Sequence, residues 1–297
     1  MHADTMDLAL ATPASGHTTS IGRKRWRAFA RNKLAVLSLG FLVLVHVSAV
    51  LAPAIAPYRP DKTAPTAALR LPSGQHLLGT DEVGRDVLSR LLYGARISLV
   101  VGLAAVVISV VIGTLVGALS GFFSRWTDSV LMRFTDAMMA IPTFFLLLLI
   151  LTMFGGSVGT IIVVIGVTSW MSIARLVRGE ILRFSGMDFV TAARAIGATK
   201  WRILAAHVLP HAVSTIIVAA SLGVANAILT ESALSYLGLG VQPPTASWGN
   251  MLQNAQQYMF NAPLLSVYPG MLILLTVLGY NFLGDGLRDA LDPHLLG

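Results

Sequence analysis

The sequence of 297 residues contains no cysteine. This absence excludes disulfide bonds, thiolate metal sites and cysteine nucleophiles, although it is compatible with either side of a membrane. Charged residues are also scarce, since they make up 12% of the chain against about 25% of an average soluble domain. A water-soluble fold of this length would lack the polar surface to cover itself, so the composition indicates that lipid is the solvent for much of the chain.

Two motifs of enzyme sites are missing as well. No G-x-x-x-x-G-K-[ST] stretch occurs, which excludes a phosphate-cradling loop of that kind, and no H-E-x-x-H stretch occurs. The formal net charge of +7 is compatible with nucleic-acid binding, but the Lys and Arg residues lie between apolar runs, which fits membrane topology better. We therefore expect a lipid membrane, and no nucleic acid, as a partner.

Six apolar stretches approach the roughly 20 residues that a helix needs to cross a bilayer. They predict an all-α integral membrane protein with six transmembrane helices, at residues 34–52, 97–119, 137–154, 158–174, 213–235 and 267–284. The first stretch follows a basic segment and could be a signal peptide. Its apolar run is longer than the roughly 7–15 residues of such peptides, so we interpret it as a retained anchor.

The Lys and Arg residues between these stretches predict the orientation. With both termini in the cytoplasm, fifteen of the 21 lie on the cytoplasmic side and six lie in the external loop 53–96, in keeping with the positive-inside rule. We divide the chain into a disordered cytoplasmic N-terminus (1–22), a basic arm with the first anchor and external loop (23–96), and a five-helix core (97–297). The expected location is the inner (cytoplasmic) membrane.

Prolines and glycines mark local features of the spans. Pro142 and Pro269 are expected to kink or end their helices. Gly113, Gly117 and Gly121 share one face of the second span, which would let another helix approach closely. The alternative is that they are glycines scattered through a membrane protein.

The cytoplasmic segment 175–212 is too long to be a structureless connection. Asp188 is a candidate N-cap of a helix that runs to Ile196, and Gly197 is a candidate left-handed residue after it. A second helix is predicted from near Thr199 to Pro210, with an apolar face formed by Trp201, Leu204, Ala205, Val208 and Leu209. This helix–glycine–helix pattern fits a docking surface for a soluble partner and equally an amphipathic connector on the inner leaflet.

The same segment resembles the EAA loop of ABC-importer permeases. Thr191-Ala192-Ala193, Gly197 and Leu209-Pro210 have the spacing of that loop, with Thr191 in place of its Glu. The resemblance to the second permease subunit of the dipeptide/oligopeptide/nickel group covers about residues 23–295. The other matching stretches are Gly79-Thr80-Asp81 with Gly84-Arg85-Asp86, Met132-Arg133 with Asp136 and Ile141-Pro142, Glu231 with 234–244 and Ser247-Trp248-Gly249, and 283–293.

The resemblance implies a type I ABC-importer permease fold and a non-catalytic subunit without cofactor, because ATP and Mg²⁺ would bind to partner subunits. Those partners would be a homologous second permease subunit, two cytoplasmic ATPase subunits or domains, and an extracytoplasmic solute-binding protein. Coupling to the ATPases would involve Ala192, Ala193, Arg194, Gly197, Lys200 and Arg202. The solute would be a dipeptide, an oligopeptide, a nickel chelate or glutathione, and Thr191 rules out a Glu-dependent contact at its position.

Polar residues within spans are first interpreted as functional, because burying them in the membrane costs free energy. Glu231 in the fifth span could face the translocation path or hydrogen-bond to loop 236–266 as a structural anchor. Asn226 could line the pore or form an interhelical hydrogen bond, and His46 is expected to be a peripheral, neutral histidine. The pairs Asp86–Arg90 and Arg288–Asp292 are expected to be surface helix contacts.

Two other functional classes stay open from the residues alone. A secondary transporter or channel should carry several membrane-buried charges at an ion-coupling site, which Glu231 alone supplies poorly. A membrane-anchored scaffold that binds a soluble protein would explain the cytoplasmic segment but not the polar residues of the fifth span.

Overall fold

The computed structural model describes residues 21–291. Residues 1–20, most of the predicted disordered N-terminus, lie outside the described residues, and so does Asp292 with its predicted contact to Arg288. Residues 21 and 22 belong to the first helix. The described part of the chain is mostly helical and contains no strand.

Most helices follow one another with short connections, and the long loop 56–86 separates the third helix from the fourth. The helices are α1 (Ile21–Arg31), α2 (Lys33–Val50), α3 (Ala52–Ile55), α4 (Val87–Phe122), α5 (Arg125–Met139), α6 (Thr143–Phe154), α7 (Val158–Ser185), α8 (Asp188–Ala195), α9 (Lys200–Arg202), α10 (Leu209–Tyr236), α11 (Trp248–Ala255) and α12 (Leu264–Leu291). A π-helical turn (Ile203–Val208) joins α9 to α10, and 3₁₀ turns lie at Pro65–Ala67 and Gln256–Tyr258.

Five helical runs in residues 21–291 are long and apolar enough to cross a membrane, and a sixth span results when α5 and α6 are counted together. The five are α2, α4, α7, α12 and the continuous run Lys200–Tyr236. Because each span reverses the direction of the chain, α1, the C-terminal end of α12 and residues 188–202 lie at the same end of the bundle. That this end is cytoplasmic stays a prediction from the charge distribution.

The second span is longer than its apolar run. The sequence assigned residues 87–96 to the external loop, whereas the structure places them in α4, which begins at Val87. Asp86 caps this helix by accepting a hydrogen bond from the Ser89 amide at 2.8 Å, so that the helix starts ahead of its apolar segment. The 36 residues of α4 reach about 54 Å, more than the hydrocarbon core of about 30 Å.

The third span, predicted at 137–154 with a kink or an end at Pro142, is bent. It consists of α5 and α6, which meet at an angle of 77° across a break at residues 140–142. Pro142 has no amide hydrogen and disfavours helical geometry in the residue before it, so its expected effect is confirmed. Pro269, in contrast, lies inside α12, which continues past it to Leu291.

The glycines of the second span form a close contact between α4 and α7. A Cβ atom on Gly113, Gly117 or Gly121 would lie 2.7, 2.4 or 2.9 Å from the nearest atom of α7, which is closer than a Cβ can approach another heavy atom. The three glycines therefore share the face that α7 covers, and the prediction of a close helix approach is confirmed.

Ion pairs fix the bent third span to α7. Arg178 donates to both carboxylate oxygens of Asp128, at 2.5 and 2.6 Å, and Arg175 donates to Asp136. The first pair is bidentate, which adds geometric specificity to the charge interaction. The end of α7 that leads into α8 is thus tied to α5.

The first span is joined to the last by His46. Its Nδ1 lies 2.8 Å from the Leu42 carbonyl oxygen, and its Nε2 lies 3.0 Å from the Tyr280 hydroxyl. A carbonyl only accepts hydrogen bonds, so Nδ1 donates, and in a neutral imidazole Nε2 then accepts from Tyr280. The Tyr280 carbonyl in turn accepts from Ser221 of α10 at 3.0 Å. His46 therefore connects α2 and α12, which is a more specific role than the peripheral position predicted.

The loop before α4 is held by a buried charge network. Asp81 accepts from Arg85 and from Arg90, each at 2.7 Å, while Asp86 bonds His76 at 2.9 Å and Ser89 at 2.8 Å. The predicted surface pair Asp86–Arg90 is therefore wrong. Arg90 is only 2% exposed and pairs with Asp81, because the loop folds back over the start of α4.

Candidate functional site

The predicted helix–glycine–helix element (residues 188–210) is present, with its first helix ending at a glycine. Gly197 has φ of +83°, the left-handed conformation that glycine adopts without steric cost. Its amide donates to the Arg194 carbonyl at 3.0 Å, and the Ala198 amide donates to the Ala193 carbonyl at 3.1 Å. These two bonds form a Schellman motif, which confirms the predicted role of Gly197.

The start of this first helix differs from the prediction. Asp188 is the first residue of α8, and the N-cap position belongs to Met187, whose side chain forms no capping bond. A carboxylate in the first turn still interacts favourably with the helix dipole. The helix itself ends at Ala195, and Ile196 occupies the C-cap position.

The second helix of the element begins as predicted but does not stay α-helical. Thr199 caps it by accepting from the Arg202 amide at 3.4 Å, and the π-turn follows from Ile203. The Leu209 amide bonds the Leu204 carbonyl, five residues earlier. The wider turn shifts the buried positions, so that Ile203, Leu204 and Val208 are buried while Trp201 and Ala205, both predicted on the apolar face, are exposed.

Pro210 was expected to end the second helix, but it does not. The chain continues through it into α10 without a break. A proline lacks the amide that a regular helix needs and crowds the preceding turn, but π-turns relieve such conflicts locally. The second helix of the element is therefore the first part of the same helical run that forms the fifth span.

The inner side of the element packs onto the ends of the spans. Val190 and Ala193 of α8 are buried in one cluster with Ile181 of α7 and Val208 of the π-turn. Ala193, which the resemblance assigned to coupling, is thus a packing residue with 6% exposure, whereas Ala192 lies on the exposed side. Movement of α8 must displace α7 and α10, because close-packed contacts transmit displacement.

The outer side of the element is an apolar tip flanked by cations. Ile196 is 86% exposed and Trp201 is 62% exposed, with the Trp201 ring 4.8 Å from that of Phe123. The flanking residues Arg194, Lys200 and Arg202 are all exposed. Ile196 was not among the predicted coupling residues, although an apolar residue directly before a helix-ending glycine in a polar segment is a signal that could have found it.

A cavity of about 500 Å³ lies between the helices that this element leads into. Its walls come from α4, α6, α7 and α10 and from the last residue of α5. They contain apolar and neutral polar side chains, the polar ones being Ser109, Thr143, Thr168, Ser169, Ser172, Asn226 and Thr230, with no ionisable residue. Asn226 is exposed and lines this cavity, which agrees with its candidate position on a translocation path.

Glu231, five residues after Asn226 on α10, is not among the residues that line the cavity. It is fully buried and accepts hydrogen bonds from Ser98 of α4 at 3.0 Å and from Ser235 at 2.7 Å. Ser98 also accepts from the amide of the fully buried Trp248, at 3.3 Å. The carboxylate therefore joins α4, α10 and α11, and this geometry favours the anchor among the two roles considered.

Close backbone contacts surround this anchor. The Trp248 indole donates to the Leu91 carbonyl at 3.2 Å. A Cβ on Gly94 would lie 3.3 Å from Trp248 and one on Gly249 would lie 2.6 Å from the Ser232 carbonyl. The Ser-Trp-Gly stretch, singled out for its resemblance, thus seats α11 against α4 and α10.

Comparisons with known proteins agree with this arrangement. Residues 113–297 match the family model described as binding-protein-dependent transport system inner membrane component, which covers more than half of the chain. The chain is an inner membrane component of a binding-protein-dependent transport system. Residues 20–72 of this permease match a second family model, the N-terminal TM domain of oligopeptide transport permease C.

Several curated relatives resemble the permease over nearly its whole length. The dipeptide transport system permease protein DppC of Escherichia coli (strain K12) is 46% identical over 276 residues, which are 91% of this chain and 92% of that protein. The di/tripeptide permease DppC of Pseudomonas aeruginosa (strain UCBPP-PA14) is 43% identical over 91% of both chains. The glutathione permease GsiD of Pectobacterium atrosepticum is 40% identical over 92% of this chain and 91% of that protein.

Membership of this family confirms the resemblance found in the sequence. It also answers the choice between functional classes, because the permease is a transport subunit rather than a scaffold. The first family match contains both helices of the 188–210 element and three of the helices that line the cavity, α6, α7 and α10.

Proposed function

We propose that this permease is one of two membrane-spanning subunits of an ATP-driven importer of small peptides, including dipeptides, or of glutathione. The names of the three relatives support this range of solutes. The partners would be a homologous permease, two ATPase subunits and an extracytoplasmic binding protein. The ATPases would supply the nucleotide chemistry, and this chain would convert their motion into opening and closing of the path.

The exposed tip of the 188–210 element carries the proposal. Ile196 and Trp201 offer apolar surface to a cleft on an ATPase subunit, and Arg194, Lys200 and Arg202 surround that surface with positive charge. An apolar centre with a charged rim is the usual composition of a protein interface. The exposed Ile196 side chain contributes no hydrophobic stabilisation while it is in water, whereas its burial in a partner would stabilise the complex by about 2 kcal/mol.

The same element provides a direct mechanical route to the path. A push on α8 acts on α7 through Ile181 and on α10 through Val208, because all three share one buried cluster. Both α7 and α10 line the cavity that contains Asn226. Closure of the ATPases would thus change the shape of the cavity without a separate linkage, and the solute would meet an inward- or outward-facing path accordingly.

The cavity fits one half of a path shared by two permeases. Its lining offers hydroxyl and amide groups but no charge, so it would bind a zwitterionic peptide weakly and let it leave. On one side it borders α6, where Phe145, Leu149 and Met153 are 58–70% exposed. A second permease subunit that covers this apolar face would close the path.

The experiment uses the complete transporter in proteoliposomes with the binding protein and a labelled dipeptide. We expect Arg194→Glu, Lys200→Glu and Ile196→Ser each to lower uptake while the ATPase subunits still hydrolyse ATP, because the contact that couples them is weakened. Arg125→Glu is the matched control, since Arg125 is an exposed cation at the same end of the bundle but outside the element. Normal uptake by all three variants would refute the docking role.

The solute is tested in the same vesicles. Excess unlabelled dipeptide, tripeptide or glutathione is added outside together with the labelled dipeptide. We expect the peptides to compete with the label. Uptake of labelled glutathione by the same vesicles, with no uptake of the labelled dipeptide, would restrict the proposal to glutathione.

A further inference from the structure

The short helix α1 combines positive charge with a position at the edge of the bundle. Residues 21–33 contain six Lys and Arg residues and no Asp or Glu. The first transmembrane helix, α2, starts at Lys33, directly after Asn32, which caps it by accepting from the Ala35 amide at 3.2 Å. The cations of α1 are therefore placed where a span enters the membrane.

The structure holds α1 in a defined orientation. Phe29 is 5% exposed and packs with Ala35 and Ala290. A Cβ on Gly286 of α12 would lie 3.0 Å from the Phe29 ring, and Asn32 donates to Asp289 of α12 at 3.5 Å. One side of α1 is thus fixed to the end of α12, and the opposite side must face outward.

The outward side of α1 presents cations beside a tryptophan. Trp26 is 60% exposed and stacks on Phe29, with ring centroids 5.8 Å apart. Arg27, Ala30 and Arg31 are exposed as well, and in residues 21–291 no carboxylate forms an ion pair with Arg27 or Arg31. An exposed indole next to unpaired guanidinium groups at the end of a span is typical of a membrane–water interface.

We propose that α1 binds the headgroups of anionic phospholipids and anchors this end of the permease to the membrane surface. Arg27 and Arg31 would donate to lipid phosphates, for which the planar guanidinium is well suited, while Trp26 would lie among the headgroups. The negative surface of a bilayer that contains anionic lipid attracts such basic segments next to a span. The site uses none of the residues of the 188–210 element, so it does not depend on the proposed ATPase contact.

The absence of cysteine allows a direct test with the full-length chain. Ala30→Cys introduces a single thiol on the exposed side of α1, to which an environment-sensitive fluorophore is attached. The labelled chain is placed in nanodiscs of phosphatidylcholine alone or with one quarter phosphatidylglycerol. We expect a blue shift of the emission with phosphatidylglycerol, and its loss at about 1 M salt, where the Debye length falls from about 10 to about 3 Å.

Charge variants identify the residues responsible. In Arg27→Gln/Arg31→Gln we expect most of the blue shift to disappear. The matched control Lys62→Gln/Arg70→Gln removes the same charge from exposed residues of the loop before α4 and should keep the shift. Equal emission of the Ala30→Cys chain in both kinds of nanodisc would overturn the proposal, and this result does not depend on whether the charge variants fold.

A protein partner is the other outcome of the test. If the emission stays constant with phosphatidylglycerol but changes when purified ATPase subunits are added, α1 is a protein-docking surface and the lipid proposal is wrong. Failure of the lipid test leaves the uptake measurements on Arg194 and Ile196 unaffected, so the two proposals are judged separately.

Discussion

Gly197 offers a sharp test of how the 188–210 element works, because its surroundings separate backbone strain from side-chain size. Its φ is +83°, yet a Cβ added there would meet no atom within 4 Å. A bulky residue would therefore fit sterically in this chain, and the cost of replacing Gly197 lies in the backbone. The left-handed conformation costs an ordinary L-residue about 1–2 kcal/mol, asparagine less, and a β-branched residue the most.

These costs predict an order of effects. About 1.4 kcal/mol corresponds to a tenfold change in an equilibrium constant, so a cost of about 1–2 kcal/mol means that Gly197→Ala should lower the population of the docked conformation by roughly five- to thirtyfold. Gly197→Asn should have a smaller effect and Gly197→Val a larger one. The measurement is the ratio of ATP hydrolysed to dipeptide imported in proteoliposomes, which should rise in the order Asn, Ala, Val.

A different order would refute this explanation. If contact with an ATPase subunit is what excludes side chains at Gly197, the effect should follow size, and Asn should be more damaging than Ala. The control is Gly179→Ala in α7, where a Cβ also meets no atom within 4 Å and no left-handed φ is involved. This control should leave the ratio of ATP hydrolysed to dipeptide imported unchanged, since alanine is favoured over glycine in a helix by up to about 1 kcal/mol.

Three further predictions concern the packing that supports the site. Gly117→Val should lower the free energy of unfolding of the purified permease by about 1–3 kcal/mol, because the larger side chain overpacks against α7. Gly40→Val should change this free energy little, since there is open space around the Cβ position of Gly40. Arg90→Met should lower the free energy of unfolding, measured by denaturation, by up to about 3 kcal/mol. This is the low end of the range for a broken buried ion pair, because Asp81 would still be paired with Arg85. Glu231→Gln should keep both uptake and melting temperature, since an amide can replace the hydrogen bonds to the serine hydroxyls. Lost uptake at an unchanged melting temperature would instead place Glu231 on the solute path.

Local signals in the sequence were sufficient for the features that depend on a few neighbouring residues. The apolar runs predicted the spans, because the length of such a run reflects bilayer thickness directly. Gly197 was recognised from its place directly after the predicted helix 188–196, and the spacing of Gly113, Gly117 and Gly121 predicted their common face. Each of these predictions rests on residues that are close together in the chain.

Features that depend on distant contacts were missed or left open. Arg90 was paired with Asp86 on the basis of sequence distance, whereas the loop before α4 brings Asp81 to it. The π-turn shifted the apolar face of the second helix and carried it through Pro210, which no periodic pattern announces. The exposure of Ile196 was missed as well: its place directly before Gly197 in a polar segment was a signal, but an isoleucine at a helix end is as compatible with burial as with docking.

The sequence by itself determined that this is an integral membrane protein and approximately where its spans lie. It also determined which stretches resemble a transport permease, because hydrophobicity and short motifs are properties of the chain. Only the tertiary structure decided that Asn226 faces a cavity while Glu231, five residues later on the same helix, is enclosed by hydroxyl groups. The difference arises because α4 and α11 cover one side of α10 and leave another side open, and that arrangement is set by packing between segments far apart in the chain.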